Sequence, residues 1–266
     1  MLITVVVYDG VLDDECEAFR SVLGLVNNAS VITVGARHGT YAGPGGLQQV
    51  DATFDEIDAA DIVIVPGGLG CERAADDPVL RQFLLRMEQT ARFVAGSSTG
   101  TVVLASAGLL HGESAATHWL AKDLLRNYGS HADPRGLVVT GNVITCEGRI
   151  SAVDAAFALV ERIEGSAAIA PIRSMLIERG QPLLRQPSRW KRLSRRLSDE
   201  PKRTRVRDLA PNLAGRAEVP MPIQPPVDQP PPITPIAVMI ELIDNEELKR
   251  QLKRRRRRPR GRPPRR

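Results

Sequence analysis

The chain has 266 residues, a formal net charge of +5, 42% hydrophobic residues and only 4% aromatic ones. That is enough for one sizeable core with an appendage. Three cysteines are too few, and odd in number, for a disulfide framework, no apolar run reaches the roughly 18 residues of a membrane-crossing helix, and the opening LITVVVYDG lacks the pattern of a signal peptide, so a cytoplasmic protein is expected.

Residues 2–8 are a continuous apolar, β-branched run, which predicts a strand buried on both faces. Asp9-Gly10 ends it, and residues 13–25 carry Phe19, Val22 and Leu23 at helical spacing behind an acidic first turn. A strand follows at 31–35, a loop at 42–46 (AGPGG), and an apolar strand at 61–66 that runs into Gly67-Gly68. Residues 78–90 read as a helix, 92–96 as a strand, 99–107 as a small-residue helix and 117–128 as a further helix. A hairpin is expected at 137–140 and 143–146 around Gly141-Asn142. Ser151, with Asp154 three residues on, reads as the cap of a helix to residue 164, and a last helix covers 168–179. Strands alternating with helices predict a parallel sheet covered on both faces. In such sheets, sites form at the carboxyl ends of the strands.

Three strand ends carry unusual residues: Asp9-Gly10 with Asp13 and Asp14 beyond it, PGGLG at 66–70, and GSSTG at 96–100. In the third, a strand passes straight into a helix between small residues, a turn able to lift one side chain onto a helix N-terminus. There, backbone N–H groups favour negative charge. By spacing alone, the run also fits a serine that merely caps the helix.

The segment VAGSSTGTVVLASAGLLHGESAATHW at 94–119 resembles the isonitrile hydratase-like branch of the ThiJ/PfpI (class I glutamine amidotransferase-like) superfamily, as do DIVIVPGG at 61–68 and LVVTGNVITCEGRISAVDAAFALVERI at 137–163. The resemblance runs over about residues 2–180. It implies an α/β, flavodoxin-like three-layer sandwich with a mainly parallel sheet, commonly a homodimer, and a small-molecule substrate. It also implies a nucleophile elbow at residue 98, an oxyanion hole from the N–H groups of Gly67, Gly68 and Thr99, and an acid near the end of the first strand. Asp13 is the best match to that acid, with Asp14 and Glu15 as close competitors.

The sequence departs from the family where the nucleophile stands, because Ser98 replaces the usual cysteine. A thiol at a helix N-terminus becomes a thiolate near neutral pH, whereas a hydroxyl needs an adjacent base. Thr99 follows it, so no neighbouring histidine supplies one. His118 matches a family histidine and is equally read as a packed helix-start residue. Cys71 and Cys146 lie near strand ends, as displaced thiols or as small buried hydrophobes. The four histidines and three cysteines show no metal-ligand spacing and no phosphate-binding loop is present, so neither metal nor cofactor is expected.

Two functions follow. One is an isonitrile hydratase-like or amidase-like enzyme using Ser98, Asp13 and His118. The other is a catalytically inactive sensor or scaffold.

The rest of the chain differs in kind. Residues 1–180 hold 13 Lys and Arg against 22 Asp and Glu, a net of −9; residues 181–266 hold 23 against 9, a net of +14. This second part carries 15 of the 20 prolines and, of the aromatics, only Trp190. It reads as a basic, proline-rich, largely disordered tail. Its segment 188–207 is dense in Arg and Lys, 219–235 is proline-rich, 236–252 is helix-forming, and 253–266 is almost all arginine and proline. Such runs bind nucleic acid or other polyanions through counterion release, without sequence specificity.

Overall fold

The computed structural model describes residues 1–180, and the tail expectations for 181–266 lie outside the described residues. A seven-stranded sheet forms the centre, in the order β10-β11-β7-β6-β1-β2-β5. Its strands are β1 (Leu2–Val6), β2 (Ser30–Gly35), β5 (Ala52–Thr53), β6 (Ile62–Val65), β7 (Phe93–Ser97), β10 (Leu137–Thr140) and β11 (Val143–Cys146). All neighbours are parallel except β10, which turns back on β11 around Gly141-Asn142. The register brings Ile3 beside Ile62 and Ile64 beside Ala95. Helices α1 (Asp13–Leu23), α6 (Arg149–Glu164) and α7 (Ile169–Glu178) pack with one another, and α2 (Cys71–Asp76) packs with α4 (Gly100–Ser106). Helix α3 is Pro78–Thr90, and its first turn is held by the Asp77 carboxylate, which accepts from the N–H groups of Val79 and Leu80. The chain thus forms the expected mainly parallel α/β sandwich with helices on both sides. No helix among the described residues is long and apolar enough to cross a membrane.

Burial explains the strand sequences. All four residues of β6 and four of the five in β1 are buried, as expected for strands sandwiched between helix layers. Phe19, Phe83 and Phe157 are the largest fully buried side chains and anchor the helices to the sheet.

Three local expectations differ from the structure, and one short helix was not expected. The loop expected at 42–46 is a hairpin of β3 (Gly39–Gly43) and β4 (Gly46–Val50), turning at Pro44-Gly45. Its buried Tyr41 and Val50 cover Gly35, where a Cβ would collide with both. Glycine-rich strands hid it. The helix expected over 117–128 is shortened to α5 (Lys122–Asn127) behind a 3-10 turn at Trp119–Ala121. Thr117 and His118 stay out of the helix because the Thr117 hydroxyl bonds the Ser98 carbonyl and His118 caps the turn. Ser151 does not cap α6: the helix already begins at Arg149, after Gly148. The short α2 has no periodicity long enough to be read. The remaining two strands, β8 (Ser114–Ala115) and β9 (His131–Ala132), pair with each other.

Candidate active site

At the carboxyl edge of the sheet, the loops after β1 and β6 are zipped together. The Leu12 N–H donates to Gly67 O at 2.8 Å, and the Leu69 N–H donates to Gly10 O at 2.8 Å. This crossing carries the start of α1 over the end of β6 and drives Glu15 inward, where it is 1% exposed. One carboxylate oxygen, Glu15 Oε2, accepts from the Gly67 N–H at 2.8 Å and from the Ser97 hydroxyl. Asp13 lies two residues away on the same helix, on the opposite face. Its carboxylate packs against Gly45 in the β3–β4 turn. Of the three acids held open by the sequence, the fold therefore brings Glu15 to the elbow.

Ser98 sits where β7 becomes α4, with φ of +53°. A left-handed backbone at a residue with a side chain costs on the order of 1–3 kcal/mol, so its surroundings must hold it there. They do so from two sides. The Ser98 N–H donates to Cys146 O at the end of β11 at 2.7 Å, and its carbonyl accepts from the Thr117 hydroxyl at 2.8 Å. Gly67 makes room for it: a Cβ there would fall 2.5 Å from Ser98 Cβ, 2.9 Å from Ser98 Oγ and 3.0 Å from Glu15 Oε2. The serine hydroxyl and the buried carboxylate thus flank one small space over Gly67. Ser98 is only 3% exposed.

Burial pushes the Glu15 carboxyl up from its ordinary 4.5 to about 7, against weaker downward pulls from Ser97, the Gly67 amide and Ser98. Near neutral pH this group therefore holds a proton about as often as not, which suits both donating and accepting one. Burial also raises the three thiols. Cys71 is pushed up to about 11, Cys16 is raised further, Cys146 is raised well above the ordinary thiol value, and the Glu15 charge adds to the rise at Cys146. None of them is a thiolate at neutral pH, so the displaced-thiol reading gains nothing from the structure.

The expected oxyanion donors are partly occupied. The Gly67 N–H is engaged by Glu15, and the Gly68 N–H donates to Thr99 Oγ1 at 2.8 Å while that hydroxyl donates back to Gly68 O at 2.9 Å. The Thr99 N–H is the member of the set that none of these bonds uses. His118 is half-buried at the cap of its 3-10 turn, where Nδ1 accepts from the Leu120 N–H at 3.4 Å. The residues that sequence reasoning missed are Ser97 and Thr117. The only signal for either was a polar residue at a buried strand end or beside the family histidine. Among the described residues, no group of His, Cys, Asp or Glu could hold a metal ion.

A family model described as the DJ-1/PfpI family matches residues 1–162. The isonitrile hydratase of Pseudomonas putida is 35% identical over 121 residues, which are 45% of this chain and 53% of that protein. The HTH-type transcriptional regulator CdhR of Pseudomonas aeruginosa is 31% identical over 117 residues, 43% of this chain and 34% of that protein. The chain thus spans about half the length of the hydratase and a third of the regulator. A crystal structure of a ThiJ/PfpI family protein from Pseudomonas syringae superposes with a TM-score of 0.64 at 22% identity, over 71% of this chain and 77% of that one. This last likeness is one of fold.

Proposed function

Because the chain belongs to the DJ-1/PfpI family, we propose that its strand-end site hydrates a small, neutral carbon electrophile of the isonitrile class, with Glu15 as the acid and base. The observation that carries this reading is a buried carboxyl with its pKa raised to about 7, beside the Ser98 hydroxyl on a strained elbow. Protonated Glu15 gives its proton to the terminal carbon of R–N≡C. Water, oriented by the Ser98 hydroxyl and the Thr99 amide, adds to that carbon and returns a proton to Glu15. The imidic acid R–N=CH–OH then tautomerises to the formamide R–NH–CHO. The sum is one isonitrile plus one water, with no thiolate required, which suits a site whose cysteine position is serine. Acyl transfer, as in an amidase, would ask more of it: a base able to ionise Ser98 and open amides at Gly67 and Gly68.

The test is formamide production from an alkyl isonitrile by the full chain, followed by NMR. Glu15→Gln is expected to lower turnover at least 100-fold and Ser98→Ala about tenfold, while Asp13→Asn leaves it unchanged. Loss in Asp13→Asn with retention in Glu15→Gln would return the acid to Asp13. The same reading carries a homodimer, and a monomeric mass in sedimentation would remove that part.

Absence of any formamide favours a second reading, supported by the internally bonded Gly67 and Gly68 amides and by the likeness to a transcriptional regulator. In that reading the site is a sensor that binds without turning over. It expects Ser98→Cys to restore thiol alkylation at the elbow without changing the melting temperature.

A further inference from the structure

The part of the molecule that the site does not use is its charge. The described body is acidic, with the net of −9 set out above, and repels a polyanion. Any contact with nucleic acid therefore falls to residues 181–266. The last 14 residues of the sequence, KRRRRRPRGRPPRR, contain nine arginines, one lysine, three prolines and one glycine, with no acid and no aromatic. We infer that the pentapeptide Pro259-Arg260-Gly261-Arg262-Pro263 within this run binds the minor groove of A·T-rich duplex DNA.

Proline fixes φ near −65° and offers no N–H, and a residue before proline is held extended. Arg258 and Arg262 both precede proline. Entry into the groove asks for a thin, extended backbone, and proline at both ends of the pentapeptide favours one and leaves no N–H unpaired there. At its centre stands Gly261, one of only two glycines after Gly180. The minor groove is roughly 6 Å wide, so a backbone reaches its floor only where no side chain intervenes. Arginines on either side of that glycine can then run in both directions along the floor, toward adenine N3 and thymine O2. Runs of A·T narrow this groove and deepen its negative potential, which draws in arginine, whereas G·C pairs project an amino group into the floor. Arg254–Arg258 and Arg265-Arg266 flank the core and suit the phosphates on either side.

Composition argues against other partners. Single strands are gripped by stacking on aromatic rings, and these 14 residues have none. A membrane surface takes lysine as readily as arginine and rewards large apolar groups, which are also missing here. Guanidinium is the less hydrated and flatter cation and fits a narrow groove. This inference is independent of the chemistry at Ser98.

The experiment is fluorescence anisotropy of the full chain with two duplexes of equal length, one all A·T and one all G·C, at low and physiological salt. Binding to A·T is expected to be about tenfold tighter, and to be displaced by the minor-groove ligand netropsin. Arg260→Lys with Arg262→Lys keeps the charge and is expected to erase the preference while leaving G·C binding unchanged. Gly261→Val is expected to do the same. Equal affinity for both duplexes, a preference that survives either variant, tighter binding to double-stranded RNA or to phosphatidylserine vesicles, or no binding at all because the tail is held by its own acidic body, would each overturn the inference.

Discussion

The middle of the sheet and its carboxyl edge are made from the same strands and obey different rules. In the middle, Ile62–Val65 of β6 lie between Ile3, Thr4 and Val5 on one side and Val94 and Ala95 on the other, all buried and, apart from Thr4 with its hydroxyl bonded to Ile62 O, all aliphatic. Each contributes apolar area at roughly 25 cal/mol per Å², and volume-conserving exchanges there cost less than about 1.5 kcal/mol. Beyond Val65 and Gly96, the buried residues include Glu15, Ser97, Ser98 and Thr99. They are polar, and specific hydrogen bonds hold them. The core stores stability in area, whereas the edge holds a strained backbone and a displaced protonation equilibrium in place.

The sharpest way to break this comparison is to remove the edge's latent charge. Below about pH 4.5, Glu15 is protonated in both the folded and unfolded chain and contributes nothing to pH dependence. As pH rises toward 7, the unfolded chain releases this proton while the folded chain keeps it, so stability falls. The full loss, on the order of 3 kcal/mol, is present above about pH 7. Glu15→Gln keeps an oxygen for the Gly67 amide and Ser97 and removes the titration. Denaturant unfolding is expected to find the variant equal to wild type at pH 4 and more stable at pH 8 by up to that amount. A parallel pH dependence in the two proteins would mean that the carboxyl sits in a wetter place than its burial indicates.

How much of this was written in the sequence follows the same division. The middle strands were legible because aliphatic runs of this length bounded by glycine have few other fates. The hairpin of β10 and β11 was legible from Gly-Asn. The elbow at Ser98 was legible only as small residues between a strand and a helix, sharpened by likeness to a family. Glu15 was the hardest of the site residues to choose. Asp13, Asp14 and Glu15 are chemically similar and adjacent, and what separates them is helix phase against a crossing of two loops, a tertiary fact with no local signature. The β3–β4 hairpin was hidden for a related reason: Gly43 passes close to Val11 O, Gly39 and Gly46 hold positive φ, and in sequence these glycines look like a loop.

Space is the second test. Gly67→Ala would set a methyl group 2.5 Å from Ser98 Cβ, where backbone has to move. It is expected to cost about 2–3 kcal/mol in urea unfolding and to abolish isonitrile turnover, while Ile64→Val, in the same strand's apolar run, costs about 1 kcal/mol and leaves turnover intact. Equal costs would show that the edge relaxes as freely as the core.

The smallest effect compares two residues that share a backbone conformation. Among the described residues, only Ser98 and Asn28 have positive φ without being glycine, at +53° and +54°. Asn28 lies in an exposed turn, and asparagine tolerates this region through its short polar side chain. Ser98 is buried, and serine has less of that tolerance. Replacing either with glycine relieves strain and adds freedom to the unfolded chain, two effects of opposite sign and similar size. At Asn28 the two are expected to cancel to within about 0.3 kcal/mol. At Ser98 the relief should win by about 0.5–1 kcal/mol, seen as a rise in melting temperature together with loss of turnover. That pairing of higher stability with lost function would mark the serine's conformation as maintained for chemistry. A Ser98→Gly variant that melts lower than wild type would assign the hydroxyl a packing role instead.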